Sequence, residues 1–147
     1  MYPIAYGAKF ALKKSGVDFK VMPLEALWWT SPSGAFKAED REKWRWTAMI
    51  MVPDAVTSGV VDQVRAEAMR KRPTPTLAKV RLQSFREGTS AQLMHIGPYS
   101  AEMPNIEKLH AFIAEQGYRL AGKHHEIDLG DPRRAAPETL PIARRSP

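Results

Sequence analysis

Gly122-Lys123-His124-His125-Glu126-Ile127-Asp128-Leu129 is the stretch that decides the fold of this chain. A strand alternates its side chains, so His124, Glu126 and Asp128 go to one face and His125, Ile127 and Leu129 to the other. Ile127 and Leu129 are natural core residues, which leaves Glu126 on the face where water or a ligand meets its charge. The chain has four tryptophans, and an acid on a strand near aromatic rings is a way to hold a cationic or polarised organic molecule. The plainer alternative is an exposed acid on a solvated sheet face.

The neighbouring segments place this strand in a sheet. Ile4 to Lys14 has a helical period through Ile4, Ala8, Ala11 and Leu12, with Pro3 in the first turn and Gly16 as the stop. Phe19 to Trp29 is strand-rich, with Pro23 breaking its first half; Leu24, Ala26 and Trp28 then oppose Glu25, Leu27 and Trp29. A polar loop runs from Ser31 to Glu42. Lys43 to Val52 alternates again, with Trp44, Trp46, Ala48 and Ile50 on one side. A helix is expected from Thr57 to Lys71, facing inward through Val60, Val61, Val64 and Ala68 and stopped by Pro73 and Pro75.

Val80 to Phe85 and Thr89 to Ile96 flank Arg86-Glu87-Gly88 as a hairpin signal. A third helix spans Pro104 to Gln116, with Ile106, Leu109, Ile113 and His110 inward and Gly117 at its end. Tyr118 to Leu129 forms the strand that carries Glu126, and a short final strand lies near Thr139 to Arg144. This order predicts an α+β fold, a mostly antiparallel sheet with helices on one face and an open ligand cleft on the other. The second half reads strand, helix, strand, strand. The first reads only helix, strand, strand, as if an opening strand were missing. A sheet edge left open in that way predicts a homodimer or a strand-swapped dimer. Within a single domain, residues 1–54 form the incomplete first module, 55–78 a connecting helix and linker, and 79–147 the second module.

At 147 residues, with 44% hydrophobic and 26% charged residues, the chain is sized for one domain with a real core. There is no cysteine, which removes disulfides and thiolate metal sites and suits a cytoplasmic protein. The opening residues lack the pattern of a signal peptide, and no apolar stretch is long enough to cross a bilayer. The net charge is +6, but its distribution argues against direct nucleic-acid binding. Arg70-Lys71-Arg72 closes a helix, where cations complement the macrodipole, and Arg133-Arg134 and Arg144-Arg145 stand apart. Neither a helix-turn-helix pattern nor a basic strip interleaved with aromatics is present.

Seven stretches resemble the GyrI-like small-molecule-binding family of the SOUL/GyrI-like superfamily: Ile4 to Lys14, Phe19 to Trp29, Lys43 to Thr47, Met94 to Tyr99, Gly122 to Ile127, Asp131 to Arg134 and Ala136 to Glu138. They cover essentially the whole chain. The resemblance implies two strand-helix-strand-strand modules related by a pseudo-twofold axis, with a ligand cleft between them and a first strand absent here. It implies binding of drugs or other organic cations, as in effector-sensing domains. The stand-alone branch most like this chain includes hydrolases that open the electrophilic cyclopropane of cyclopropanoid DNA-alkylating natural products, and there the acid matching Glu126 is implicated in catalysis. Other members are DNA gyrase inhibitors, and the wider superfamily includes haem-binding proteins. Two departures stand out. Asp128 occupies a place where the family usually has tyrosine, and Pro141 interrupts the last strand and removes a ladder donor.

Glu126 is thus the candidate general base, or the group that orients water against an electrophilic carbon. Tyr99, in the turn after the Thr89 to Ile96 strand, is the second candidate catalytic group, as a hydrogen-bond donor to a ligand oxygen. Trp29 and Trp46 are the expected stacking walls, and Asp128 and His95 complete the expected binding set. Pattern leaves Trp28 and Trp44 open. The histidines make no metal set, since His124 and His125 point to opposite faces. No residue stands out as a haem ligand and no phosphate-binding loop occurs, so neither cofactor nor metal is expected. The partner is a hydrophobic aromatic or cationic small molecule, with hydrolytic ring opening as the enzymatic form. The rival classes are effector sensing or sequestration without turnover, and a protein-interaction module such as a gyrase inhibitor.

Overall fold

The computed structural model describes residues 1–30, 42–131 and 133–147. The fold is α+β with an antiparallel sheet, and it divides into two compact units: residues 1–23 with 50–86, and residues 24–49 with 87–147. Among the described residues no helix is long and apolar enough to cross a membrane.

The first unit is helical. Helix α1 (Tyr2–Lys13) packs on α2 (Ser58–Lys71), and a single turn of helix, α3 (Pro75–Ala78), follows. The core holds Ile4 and Ala8 from α1 and Val61 and Val64 from α2, with Val56 beside them. Ile4, Ala8, Val61 and Val64 are residues that the helical period turns inward; Val60 and Ala68, also expected there, are only partly buried, and Val56 precedes α2. Gly7 lies where the two helices meet, and a Cβ there would collide with Val64 Cγ1. Thr57 caps α2 by accepting the Val60 N–H at 3.4 Å. Val80 to Phe85, expected as a strand, is not one. Val80 packs on this helical core and its carbonyl accepts from Arg65 Nη1 at 2.6 Å, so the segment serves α2 instead of a ladder. The hairpin expected around Arg86-Glu87-Gly88 is therefore absent.

The second unit is built on five strands: β1 (Leu24–Trp29), β2 (Arg45–Met49), β3 (Ala91–Ile96), β4 (His124–Asp128) and β5 (Pro141–Ser146). They lie in the order β2-β1-β4-β5-β3 and every pairing is antiparallel. The strands are shorter than the alternating runs predicted, and Pro23 stands just outside β1. Pro141 does not interrupt the last strand but begins it, a position where a missing N–H is tolerated. Leu129, expected in the core, lies past the end of β4 and is exposed. The polar loop expected over residues 31–42 falls almost entirely outside the described residues.

Helix α4 (Met103–Glu115) packs on β3 and β5 through Ile106, Leu109 and Ile113. Ile142, Arg144 and Ser146 of β5 share the face that carries Glu126, because Glu126 pairs with Arg144 and Asp128 with Ile142. Helix α4 thus shares the Glu126 face with the cleft described below. The expectation of helix and cleft on opposite faces does not hold for α4.

The other face carries a buried charge cluster. His125, only 1% exposed, faces Glu87 through Nδ1 at 2.7 Å and Glu25 through Nε2 at 2.9 Å. Arg145 Nη1 reaches the second Glu87 oxygen at 3.1 Å. Ionised carboxylates only accept, so both ring nitrogens donate and the imidazole is cationic. Burial works against that charge, but the hydrogen bonds His125 donates to Glu25 and Glu87, with the charges of those carboxylates, outweigh it and the pKa is raised above 6.5. A pKa raised by folding stabilises the fold below the unfolded value and is lost as pH rises through the folded value. The melting temperature should therefore fall as pH is raised from 6 to 9, and His125→Gln should flatten that dependence. Parallel slopes for parent and variant would show that the cluster contributes no such linkage.

Candidate functional site

The Glu126 face opens into a cleft of about 620 Å³, within the range of small-molecule sites. Its floor comes from alternate residues of neighbouring strands. Pairing places Leu24 beside Asp128, Ala26 beside Glu126, and Trp28 beside both His124 and Trp46. Ala26 leaves room above the sheet next to Glu126. Trp44 precedes β2 with the same parity as Trp46. The Trp28 ring lies 6.1 Å from each of these two indoles, edge-on to Trp44 at 70° and tilted to Trp46 at 39°. Trp46 is 60% exposed and forms the open wall. Met103 and Ile106 of α4 close the other side.

One guanidinium organises the polar end. Arg144, 1% exposed, directs Nη1 to Glu126 Oε2 at 2.5 Å and Nη2 to Glu102, the residue just before α4. Glu126 is itself only 8% exposed, so its charge is met by Arg144 and not by bulk water. Arg144 Nε is buried and has no hydrogen-bond partner among the described residues. Asp128 accepts the Tyr99 hydroxyl at 3.2 Å. Its pKa is pushed up to about 6, chiefly by burial, then by the Glu126 charge and a hydrogen bond with Glu126. Tyr99 is pushed up to about 12 by burial and by the Asp128 and Glu126 charges, so it remains a donor. Burial, and then the Arg144 charge, drives His124 down to about 3, which leaves it uncharged near neutral pH.

Of the residues expected from the sequence, Glu126, Asp128, Tyr99 and Trp46 come together in this cleft. Trp29 does not join them. It pairs with Arg45 on the opposite face, where Lys123 Nζ stands 3.6 Å from its ring centroid. His95 also lies outside the cleft lining. Its Nε2 donates to Pro98 O at 3.1 Å, and its Nδ1 accepts from Asn105 Nδ2 at 2.9 Å. These bonds tie the turn that presents Tyr99 to α4. Gly97 enters that turn at φ +141°, a conformation favouring glycine.

The sequence reading missed Arg144, Glu102 and His124, and left Trp28 and Trp44 unassigned. Strand parity held part of the signal, because choosing Trp46 also chooses Trp44, and choosing Glu126 also chooses His124. Among the described residues no group of three His, Cys, Asp or Glu side chains could hold a metal ion.

The chain is similar in structure to an uncharacterized conserved protein from Listeria innocua, with 38% identity over 99% of this chain and 75% of that one and a TM-score of 0.89. A hydrolase from Listeria innocua matches at 36% identity over 99% and 74% of the two chains, with a TM-score of 0.82. A hydrolase encoded by lin2189 from Listeria innocua matches at 37% identity over 99% and 75%, with a TM-score of 0.83. A search of curated proteins gives no match. Residues 9–142 match the GyrI-like small molecule binding domain. The chain belongs to the GyrI-like small molecule binding domain family.

Proposed function

We propose that the cleft binds a flat, hydrophobic, cationic or electrophilic small molecule and hydrolyses it by ring opening, with cyclopropanoid genotoxins as the substrate class. The observation that carries this reading is the convergence of Trp28, Trp44 and Trp46 with Glu126 and Asp128 on one cavity. The hydrolase descriptions of two similar Listeria structures support the hydrolytic part, as does the resemblance of the sequence to the cyclopropanoid-hydrolase branch.

In this scheme the indoles stack on the planar ligand and exclude water from its faces. Glu126 accepts a proton from a water whose oxygen attacks the electrophilic ring carbon. The new C–O bond forms as the strained C–C bond breaks. The electron pair passes into the conjugated carbonyl, which takes up a proton from solvent and becomes a phenol. Arg144 fixes the Glu126 carboxylate, and Tyr99 and Asp128 line the same polar end.

Incubating the protein with a cyclopropanoid substrate and measuring ring-opened product by mass spectrometry tests this directly. Accelerated ring opening is expected. Tight binding without acceleration would favour sequestration or effector sensing instead. One observation favours that second reading: Arg144 Nη1 holds Glu126 Oε2 in an ion pair at 2.5 Å, which engages one of the two oxygens a base would use.

A further inference from the structure

We propose that Glu126 and Asp128 act as one proton-linked acceptor, so that the cleft takes up an organic cation in exchange for a proton and Asp128 governs the exchange. This rests on the cleft being the binding site and deepens that reading by tying ligand charge to pH. The two carboxyls stand two residues apart on β4, on the face that forms the cleft. Each has a different partner. Arg144 Nη1 holds Glu126, while the Tyr99 hydroxyl donates to Asp128.

The charges around the pair do not balance. Glu102, Glu126 and Asp128 all line the cleft, and Arg144 is the lining guanidinium. Its Nη1 and Nη2 are engaged by Glu126 and Glu102. On β4, His124 adds no positive charge at neutral pH. The β1 and β2 side contributes Leu24, Ala26, Trp28, Trp44, Trp46 and Ala48, all uncharged. Tyr99 is a donor without charge. With all three carboxyls ionised, two negative charges are in excess of the single Arg144, and a proton on Asp128 leaves one.

Asp128 keeps its proton more readily beside the Glu126 charge on the same strand face, because two like charges lining one cleft resist joint ionisation. A cation lying against the Trp28 and Trp46 rings meets the same excess charge and replaces that proton. An uncharged ligand of the same shape gains nothing from the exchange.

N-methylacridinium, a permanent flat cation, and uncharged acridone serve as probes, titrated by fluorescence and calorimetry from pH 5 to pH 8. N-methylacridinium affinity is expected to rise about tenfold from pH 5 to pH 7 and then level, as one linked proton with a midpoint near 6 requires. Acridone affinity should not rise. Calorimetry in buffers of different ionisation enthalpy should show proton release at pH 5.5 and almost none at pH 8. Asp128→Asn should flatten the N-methylacridinium profile, and Asp128→Glu should restore the slope. If N-methylacridinium binds with a flat profile, or if Asp128→Asn keeps the slope, the proton linkage is overturned while the cleft remains a binding site. If neither probe binds, the cleft reading and this inference fall together.

Discussion

Glu126→Gln is expected to lower ring-opening turnover at least about tenfold, and by up to about 10²–10⁴ if Glu126 is the sole general base. The amide keeps nearly all the side-chain volume, and its oxygen can still accept from Arg144 Nη1, so the position stays filled and hydrogen-bonded. Arg144 also keeps its ion pair with Glu102, and no guanidinium is stranded in the interior. Ligand retention should survive, because Trp28, Trp44 and Trp46 supply the stacking surface. Single-turnover rates with enzyme in excess separate the chemical step from binding. Equal rates for parent and variant would remove Glu126 as the base and pass that role to Asp128, the other carboxylate on the same face.

Much of this geometry is legible in the sequence, and the boundary is physical. The period of two correctly grouped His124 with Glu126 and Asp128, and Leu24 with Ala26 and Trp28, because side-chain alternation is local to a strand. The helical period picked Ile106, Leu109 and Ile113, which are buried. What alternation does not contain is register. Nothing local says that Trp28 pairs with His124, which brings it to the cleft and sends Trp29 to the opposite face beneath Lys123. Arg144 was invisible for a related reason. An arginine in a late strand reads as a surface charge until pairing with Glu126 across β4 and β5 buries it. Val80 to Phe85 failed differently. Its apolar pattern suits a strand, but Val80 serves a helical core instead, and β propensity yields to tertiary packing. His95 shows the same limit from the other side, since the motif around it marks the turn that carries Tyr99 and not a cleft contact.

Arg144→Met is expected to destabilise the second unit by about 3–5 kcal/mol, the usual consequence of removing one partner from a buried ion pair. Methionine fills most of the aliphatic volume and keeps a flexible rotamer set, so the loss is chiefly electrostatic. Without the guanidinium, the buried Glu126 and the half-buried Glu102 remain as two uncompensated carboxylates in a cleft that holds a third, Asp128. All four tryptophans, Trp28, Trp29, Trp44 and Trp46, belong to the second unit, so their fluorescence during urea unfolding reports this unit alone. The deficit should shrink as pH is lowered, because protonation removes the repulsion among the stranded carboxyls. Adding Glu126→Gln to Arg144→Met should recover part of the lost stability, since it removes one of those charges and leaves an amide in its place. Independent sites would instead give additive losses, and an additive double variant would mean that Arg144 and Glu126 are neighbours without being coupled. A single-variant loss below about 1 kcal/mol would place the pair with weakly coupled surface bridges, and Arg144 would then act mainly to orient Glu126 toward the ligand.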